Sequence, residues 1–141
     1  MNKININNFY SIIPLNKIEA NNTNIIKILE KNYKNFYGFG EIYSTNFTKN
    51  VIRAWKKHTK MFCNILVIKG SIKFVLFDDS FSLSEEIVLN DDSNKILLIK
   101  PNIWFGFKGL SKNNSIINIS NILHQENEII RRKYNDEYPK F

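Results

Sequence analysis

Short segments rich in β-branched and aromatic residues alternate with polar, turn-forming residues over most of the chain. The two densest, residues 64–68 and 72–77, are separated by Lys69-Gly70-Ser71, and this region predicts a β-hairpin with a glycine turn. Further strands are predicted at residues 82–89, 95–99 and 115–121. Short strands at intervals of roughly ten residues, with turn chemistry between them, are typical of a β-sandwich or barrel.

Polar clusters locate the predicted turns. Asp-Asp-Ser at residues 78–80 ends the second strand of the hairpin, residues 90–94 form the next turn, and the following strand stops before Pro101. Loops are also predicted at the asparagine clusters Asn21, Asn22 and Asn24, and Asn113 and Asn114.

The pattern at the two ends of the chain is less regular. Periodicity leaves open whether residues 25–29 form a helix or a strand, whereas residues 41–47 are predicted to be extended. Turns at 31–39, a short helix at 126–133 and irregular structure at 134–141 complete the prediction. Because no internal repeat and no linker interrupts the pattern, residues 1–141 are predicted to form one domain with little helix.

Composition limits the compartment and the chemistry of the chain. The 141 residues are 43% hydrophobic, which is enough for one core, and no apolar stretch has the ~18 residues of a membrane span. The N-terminus has no signal-peptide core, so we expect a cytoplasmic protein without a membrane partner. Cys63 is the only cysteine, and its apolar neighbours favour a buried side chain over a catalytic thiol.

The charge balance favours anionic partners. Twenty Lys and Arg residues against 13 Asp and Glu residues give a net charge of +7. The cations are spread along the chain, and no helix-turn-helix, zinc-finger or ribonucleoprotein signature is present. A nucleic acid is therefore not an expected partner, whereas a phosphorylated small molecule is compatible with the charge.

The segment from Arg53 to Met61 carries the candidate chemistry. In a strand, Arg53, Trp55, Lys57 and Thr59 would share one face, and Ala54, Lys56, His58 and Lys60 the other. Buried cations at such close spacing repel each other unless an anion, such as a diphosphate or an enolate oxygen, lies among them. A solvated basic strand edge also explains the pattern, and the residues alone leave both interpretations open.

Residues 53–79 resemble the central strands of cupins that process nucleotide-linked 4-keto-6-deoxy sugars. The motif of that family is Arg-Gly-aromatic-His-x-His-x-Lys, then an apolar strand, a glycine turn and a strand ending in Asp. It matches Arg53-Ala54-Trp55-Lys56-Lys57-His58-Thr59-Lys60, followed by Gly70 and Asp78-Asp79. Residues 99–107 resemble the Pro-Pro-Gly-x-x-His-Gly-Phe turn of the same family. The resemblance implies an all-β cupin, a jelly-roll β-barrel of the RmlC-like type.

Two departures from these motifs bear on metal binding. Lys56 stands where the family has its first histidine, and Phe105 stands where the second motif has one. Metal-binding cupins hold their ion with such imidazoles and a carboxylate, whereas this chain has only His58 and His124. We therefore expect a reaction that uses no metal and no other cofactor.

The resemblance implies proton removal beside the ketone of a sugar linked to a nucleoside diphosphate, with dTDP the expected nucleotide. The product is that of a 3,5-epimerase or a 3,4-ketoisomerase in deoxysugar and surface-polysaccharide (lipopolysaccharide) biosynthesis. His58 is the candidate acid or base, since imidazole titrates near neutral pH. Lys56 would stabilise the enolate oxygen or, with a lowered pKa, act as a base. Tyr43 corresponds to a ketoisomerase tyrosine and is the candidate proton relay.

Further residues are candidates for substrate binding. Arg53 and Lys60 would grip the diphosphate, and His124 lies where the epimerases have a catalytic tyrosine. The aromatic residues Trp55, Trp104 and Phe107 would either stack on the nucleotide base or fill the core. A catalytically inactive cupin that binds a sugar nucleotide is the alternative function. In either case the open strand edges of a small cupin predict a homodimer.

Overall fold

The fold consists of two antiparallel sheets and one separate hairpin. A computed structural model describes residues 5–6, 9–81, 84–135 and 139–141. The strands in chain order are β1 Asn5–Ile6, β2 Tyr10–Pro14, β3 Asn16–Ala20, β4 Thr23–Lys27, β5 Glu41–Thr48, β6 Ile52–His58, β7 Cys63–Lys69, β8 Ser71–Phe77, β9 Ser84–Asn90, β10 Lys95–Ile99, β11 Trp104–Gly109, β12 Asn113–Ser120 and β13 Ile129–Arg131. One 3₁₀ turn, Glu126–Glu128, precedes β13. The predicted all-β class is confirmed.

Eleven of the described strands form two sheets, which pack face to face around a shared core. One sheet has six strands in the order β1-β2-β10-β7-β12-β5, and the other has five in the order β13-β6-β11-β8-β9. In the part of the chain that the structure describes, β3 and β4 pair only with each other. The main core lies between the two sheets, because its buried side chains alternate along strands of both. They include Cys63, Ile65, Val67, Leu97, Ile99 and Ile116 from the first sheet, and Ile72, Phe74, Leu76, Phe105 and Phe107 from the second.

Hydrophobic density located most strands correctly. The predicted strands at 64–68, 72–77, 95–99 and 115–121 correspond to β7, β8, β10 and β12 within two residues. The predicted strand at 82–89 corresponds to β9, although Ser82 and Leu83 lie outside the described residues. The ambiguous segment at 25–29 contributes Ile25 and Ile26 to β4. These predictions are correct because β-branched and aromatic residues fit the pleated, half-buried surface of a sheet.

The predicted hairpin of residues 64–68 and 72–77 is wrong. β7 pairs with β10 and β12 in the six-stranded sheet, whereas β8 pairs with β9 and β11 in the other. Gly70, with φ +79°, turns the chain from one sheet to the other. A Cβ at Gly70 would lie 2.5 Å from the carbonyl oxygen of Asn113, so this turn has no room for a side chain. A glycine turn between two apolar strands looks the same in sequence whether the strands pair or face each other.

Three predicted non-strand segments also differ from the structure. Asn21 and Asn22 form the β3–β4 turn as expected, with positive φ angles, but Asn24 lies in β4. Asn113 and Asn114 begin β12 instead of lying in a loop. The predicted helix at 126–133 is wrong beyond its first turn, because β13 pairs with β6 there. Tertiary pairing overrides a weak local preference in each case.

Strict alternation along β6 also fails at one point. Lys56 lies opposite Phe105 and Arg53 lies opposite Phe107, so a single residue of β11, Gly106, faces two residues of β6. This bulge moves Arg53 to the face that carries Lys56, whereas alternation predicted the face of Trp55. The bulge therefore brings a second cation to the interior side of β6.

Replacing Gly106 with alanine is expected to lower the free energy of unfolding by about 1–3 kcal/mol. A Cβ at this position would lie 2.7 Å from Cβ of Ala54 and 2.9 Å from the carbonyl oxygen of Arg53, so β6 and β11 would have to separate. Urea unfolding followed by circular dichroism measures the effect. Ser44→Ala, at an exposed position of β5, is the control and should change stability by less than about 0.5 kcal/mol. Equal stability of the two variants would show that the bulge is not tightly packed.

Candidate active site

An open cavity of 390 Å³ lies between the two sheets. It is lined by β5, β7 and β12 of the six-stranded sheet and by β6, β11 and β13 of the other. Its apolar walls come from Ile65, Phe105, Phe107 and Ile116. Its principal polar side chains are Tyr43, Thr45, Arg53, Lys56, Asn118 and Arg131. A volume of this size is typical of small-molecule sites.

Lys56 lies within this cavity in a partly apolar setting. Its Nζ is 5.6 Å from the ring centroid of Phe105, and its strand partners are Phe105 on β11 and Arg131 on β13. Burial lowers the pKa of the Lys56 amine, and the charges of Arg131 and Arg53 act in the same direction. The nearby Cys63 and Glu128 partly oppose this shift of the Lys56 pKa. Lys56 therefore gives up its proton more readily than a lysine in water.

Tyr43 and Asn118 form a hydrogen-bonded pair on the opposite wall. Asn118 Nδ2 donates to the Tyr43 hydroxyl oxygen at 2.9 Å, which leaves the hydroxyl proton free to be donated into the cavity. Burial raises the pKa of Tyr43, so the phenol is protonated at neutral pH. Asn118 Oδ1 is buried and has no hydrogen-bond partner among the described residues.

His58 forms a buried pair with Glu128. His58 is 3% exposed and Glu128 is 1% exposed, and His58 Nδ1 lies 2.6 Å from Glu128 Oε2. Burial lowers the pKa of His58 despite the opposing effect of Glu128. Burial by itself would raise the pKa of Glu128, but hydrogen bonds from His58 and from the backbone N–H groups of Met61 and Lys60 hold it below its usual value. At neutral pH the pair is thus a neutral imidazole whose Nδ1–H donates to a carboxylate, which leaves a lone pair on Nε2.

We expect the stability of the protein to fall as the pH drops below about 6.5, the ordinary pKa of histidine. The unfolded chain protonates His58 in that range, whereas the folded chain resists protonation because its His58 pKa is lowered. The lowered pKa of Glu128 extends the loss at more acidic pH. Urea unfolding between neutral and mildly acidic pH measures the slope. It should flatten in His58→Gln and persist in the control His124→Gln, and an equal slope in His58→Gln and wild type would contradict the assignment.

Of the remaining candidates, Lys60 and His124 lie away from the cavity lining, whereas Trp55 belongs to it. Lys60 follows the end of β6 and is exposed, so it does not share an interior face with Lys56 and His58. His124 is also exposed, and its Nε2 contacts Glu126 Oε1 at 2.7 Å. Trp55 contributes to the rim of the cavity, but its indole is 1% exposed and stacks on Phe141 with ring centroids 5.1 Å apart.

Cys63 and Trp104 are buried in the two hydrophobic clusters of the described residues. Cys63 is fully buried in the main core, and burial raises the pKa of its thiol to about 11, which keeps it protonated. Trp104 belongs to a second cluster on the outer side of the five-stranded sheet. Its Nε1 donates to Asp79 Oδ1 at 2.6 Å, and Asp79 also accepts from Lys57 Nζ at 3.0 Å. The interpretation of Cys63 as a buried residue is therefore confirmed.

Three residues of the site were not identified from the sequence. Glu128 and Arg131 lie in the segment that was predicted to be a helix, which hid the alternation that directs them toward β6. The position of Glu128 directly before the apolar pair Ile129-Ile130 was the one feature of the sequence that could have indicated a buried acid. Asn118 gave no signal, because a polar residue within an apolar strand is as common on the solvent face. Nη1 and Nη2 of Arg131 also donate to the two carboxylate oxygens of Glu126, at 2.6 and 3.2 Å.

The two-sheet barrel with a cavity between its sheets is the architecture of a cupin. The chain belongs to the family described as FdtA: WxcM-like, C-terminal, whose model matches residues 8–140. No curated protein matches the chain in sequence. The resemblance to cupins that act on nucleotide-linked keto sugars is confirmed at the level of family and fold.

Solved structures of similar fold include three nucleotide-sugar enzymes. A dTDP sugar isomerase from Desulfovibrio desulfuricans is 25% identical, with a TM-score of 0.81 over 91% of this chain and 86% of that one. A variant of the 3,4-ketoisomerase QdtA from Thermoanaerobacterium thermosaccharolyticum, in complex with TDP-4-keto-6-deoxyglucose, is 20% identical, with a TM-score of 0.78 over 90% of each chain. The dTDP-4-dehydrorhamnose 3,5-epimerase from Bacillus anthracis is 15% identical, with a TM-score of 0.83 over 96% and 86%. The last was crystallised with TDP and pyrophosphate.

Two further findings concern the described part of the chain only. It has no group of three or more His, Cys, Asp and Glu side chains placed to hold a metal ion. It also has no helix with the length and apolar character that crossing a membrane requires.

Proposed function

We propose that the protein is an isomerase of a nucleotide-linked 4-keto-6-deoxyhexose, with dTDP as the nucleotide. The observation that carries this proposal is the cavity between the sheets, where proton-transfer groups and cations meet. Lys56 and Tyr43 lie on opposite walls, and Arg53 and Arg131 supply positive charge beside them. Proton transfer beside a ketone needs a base, a donor to the enolate oxygen and an acid, and these side chains can supply all three.

The relatives support the same class of substrate. Proteins of similar fold were crystallised with TDP, with TDP-4-keto-6-deoxyglucose and with dTDP-4-keto-L-rhamnose. They include both ketoisomerases and epimerases, so 3,4-ketone migration and 3,5-epimerisation are both open to this cavity. Either product would serve deoxysugar and surface-polysaccharide biosynthesis. Arg53 would bind the diphosphate, since a guanidinium group can donate two parallel hydrogen bonds to phosphate oxygens.

Deuterium incorporation tests the activity and its type. The protein is mixed with dTDP-4-keto-6-deoxyglucose in heavy water, and the sugar is analysed by NMR and mass spectrometry. Label at both C3 and C5 indicates epimerisation, whereas a 3-keto product labelled at the former carbonyl carbon C4 indicates ketone migration. Absence of label at every carbon, despite substrate binding measured by calorimetry, would exclude the isomerase.

A cupin that binds the sugar nucleotide without turnover is the second candidate. The observation in its favour is the position of His58, which is buried and does not line the cavity. Lys56 and Phe105 occupy the two positions where the family motifs have histidine. Binding without exchange in the experiment above is the result that distinguishes this candidate.

We also propose that the protein is a homodimer. Within the described residues the β3–β4 hairpin pairs with no other strand, and it exposes the cross-strand pair Ile18 and Ile25 by 41% and 58%. An isolated two-stranded hairpin is only marginally stable in water, so a second copy is the expected partner for this face. Light scattering coupled to gel filtration should give the dimer mass. A smaller mass is expected for an Ile18→Ser, Ile25→Ser variant, and a monomeric wild type would overturn the proposal.

A further inference from the structure

The nitrogen base that reaches the cavity is that of Lys56. Lys56 lines the cavity, whereas His58, two residues further along the same face of β6, does not. The His58 ring lies roughly parallel to Phe105, with ring centroids 6.1 Å apart, and Phe105 itself belongs to the cavity wall. A substrate in the cavity would therefore meet the Lys56 amine before it met the imidazole.

The surroundings of Lys56 make its amine easier to deprotonate than that of a lysine in water. Among the described residues no carboxylate forms an ion pair with Nζ, and Phe105 supplies an apolar neighbour. The titratable and charged groups around it are Arg53 on β6, Arg131 on β13, Tyr43 on β5, Cys63 on β7, His58 on β6 and Glu128 in the 3₁₀ turn. The two arginines repel an ammonium ion, and the thiol and the phenol are protonated at neutral pH. The lowered pKa of Lys56 agrees with this geometry.

The His58–Glu128 pair is buried close enough to Lys56 for their charges to interact. Nδ1 of His58 is held by Glu128, and Nε2 is buried without a partner among the described residues. The same carboxylate accepts from the backbone N–H groups of Met61 and Lys60, at 2.8 and 3.3 Å, and so holds the end of β6 in place. An imidazole held in this way is a proton acceptor of fixed orientation inside the protein.

We propose that Lys56 is the base that removes the proton from the carbon beside the substrate ketone, and that His58 and Glu128 are positioning residues. The inference rests on the proposed function. In the step, the neutral amine takes the proton and becomes an ammonium ion. The electrons of the C–H bond form the C=C bond of the enolate, and the carbonyl π electrons move to oxygen, which accepts a hydrogen bond from the Tyr43 hydroxyl. For ketone migration, the ammonium ion gives a proton to the former carbonyl carbon, which regenerates the amine. Tyr43 gives its proton to the enolate oxygen and takes one from the neighbouring hydroxyl, whose oxygen becomes the new ketone, so the phenol is regenerated and no other reactant is needed.

Chemical rescue tests the assignment. Lys56→Ala should lower deuterium incorporation by about 10²–10⁴-fold. Small primary amines in the buffer should restore part of the rate, and the restored rate should rise with the pKa of the amine. Lys56→Arg keeps the charge but cannot act as a base at neutral pH, so it should bind dTDP and remain inactive. Lys112→Ala, at an exposed position between β11 and β12, is the control and should behave as wild type.

The His58 variant separates the two nitrogen bases. His58→Asn should retain a slow exchange that still requires Lys56 and that amines or imidazole do not accelerate. Rescue of His58→Asn by imidazole, or exchange near the wild-type rate in Lys56→Ala, would overturn the assignment while leaving the isomerase function intact. The proposed function fails separately if wild type binds dTDP-4-keto-6-deoxyglucose and incorporates no deuterium.

Discussion

Glu128→Ala is expected to lower the free energy of unfolding by about 3–5 kcal/mol at neutral pH. Glu128 is 1% exposed, and its carboxylate accepts from three groups: His58 Nδ1 at 2.6 Å and the backbone N–H groups of Met61 and Lys60. Alanine would leave these buried donors without an acceptor, and each unsatisfied donor costs about 1–3 kcal/mol. The variant would also loosen the junction between β6 and the C-terminal segment.

Two comparisons show whether the loss comes from the buried carboxylate. Glu128→Gln keeps the side-chain volume and one acceptor oxygen, so its loss should be smaller than that of the alanine variant. Glu86→Ala removes an exposed carboxylate that pairs with Lys73 at 2.6 Å, and it should change stability by no more than about 1 kcal/mol. Urea unfolding gives all three values. A Glu128→Ala variant as stable as Glu86→Ala would mean that the carboxylate is not the acceptor that holds β6.

Tyr43→Phe is expected to reduce deuterium incorporation by about 10²–10⁴-fold, the usual contribution of a positioned proton donor. The Tyr43 hydroxyl accepts from Asn118 Nδ2 at 2.9 Å, so its own proton is available for the enolate oxygen. Because the pKa of Tyr43 is raised, the donor form persists through the neutral range. Phenylalanine removes the proton and leaves the Asn118 amide without its acceptor.

The effect of Tyr43→Phe should lie in turnover more than in binding. Arg53 would still bind the diphosphate in the proposed complex, so the dissociation constant of dTDP measured by calorimetry should stay near the wild-type value. Tyr37→Phe is a matched control, because Tyr37 stacks on Phe62 outside this cavity. If the Tyr43→Phe and Tyr37→Phe variants catalyse deuterium incorporation at the same rate, the hydroxyl of Tyr43 does not take part in the proton transfer.

The candidate site shows where a linear pattern is sufficient and where it is not. The sequence placed Lys56 and His58 on one face because alternation along a single strand determines which side chains share a face. It left open whether that face is interior, and the cavity lining shows that Lys56 lies inside. Arg53 was placed on the wrong face because the bulge opposite Gly106 belongs to the pairing of β6 with β11. Glu128 reaches His58 across 70 positions of sequence, and no local rule indicates such a contact. The arrangement of the site therefore depends on strand register.

The sequence by itself determined the all-β class and the bounds of most strands, because side-chain shape and alternation act over a few residues. The family was indicated by the resemblance of residues 53–79 and 99–107 to its motifs. Only the tertiary structure decided that β7 and β8 lie in different sheets, since their partners β10 and β12, and β9 and β11, are distant in sequence. The tertiary structure also decided that Lys56 lines the cavity whereas His58 is buried against Glu128. Both positions are results of packing. Local preferences determine which segments form strands, and long-range strand pairing determines which side chains line the cavity between the sheets.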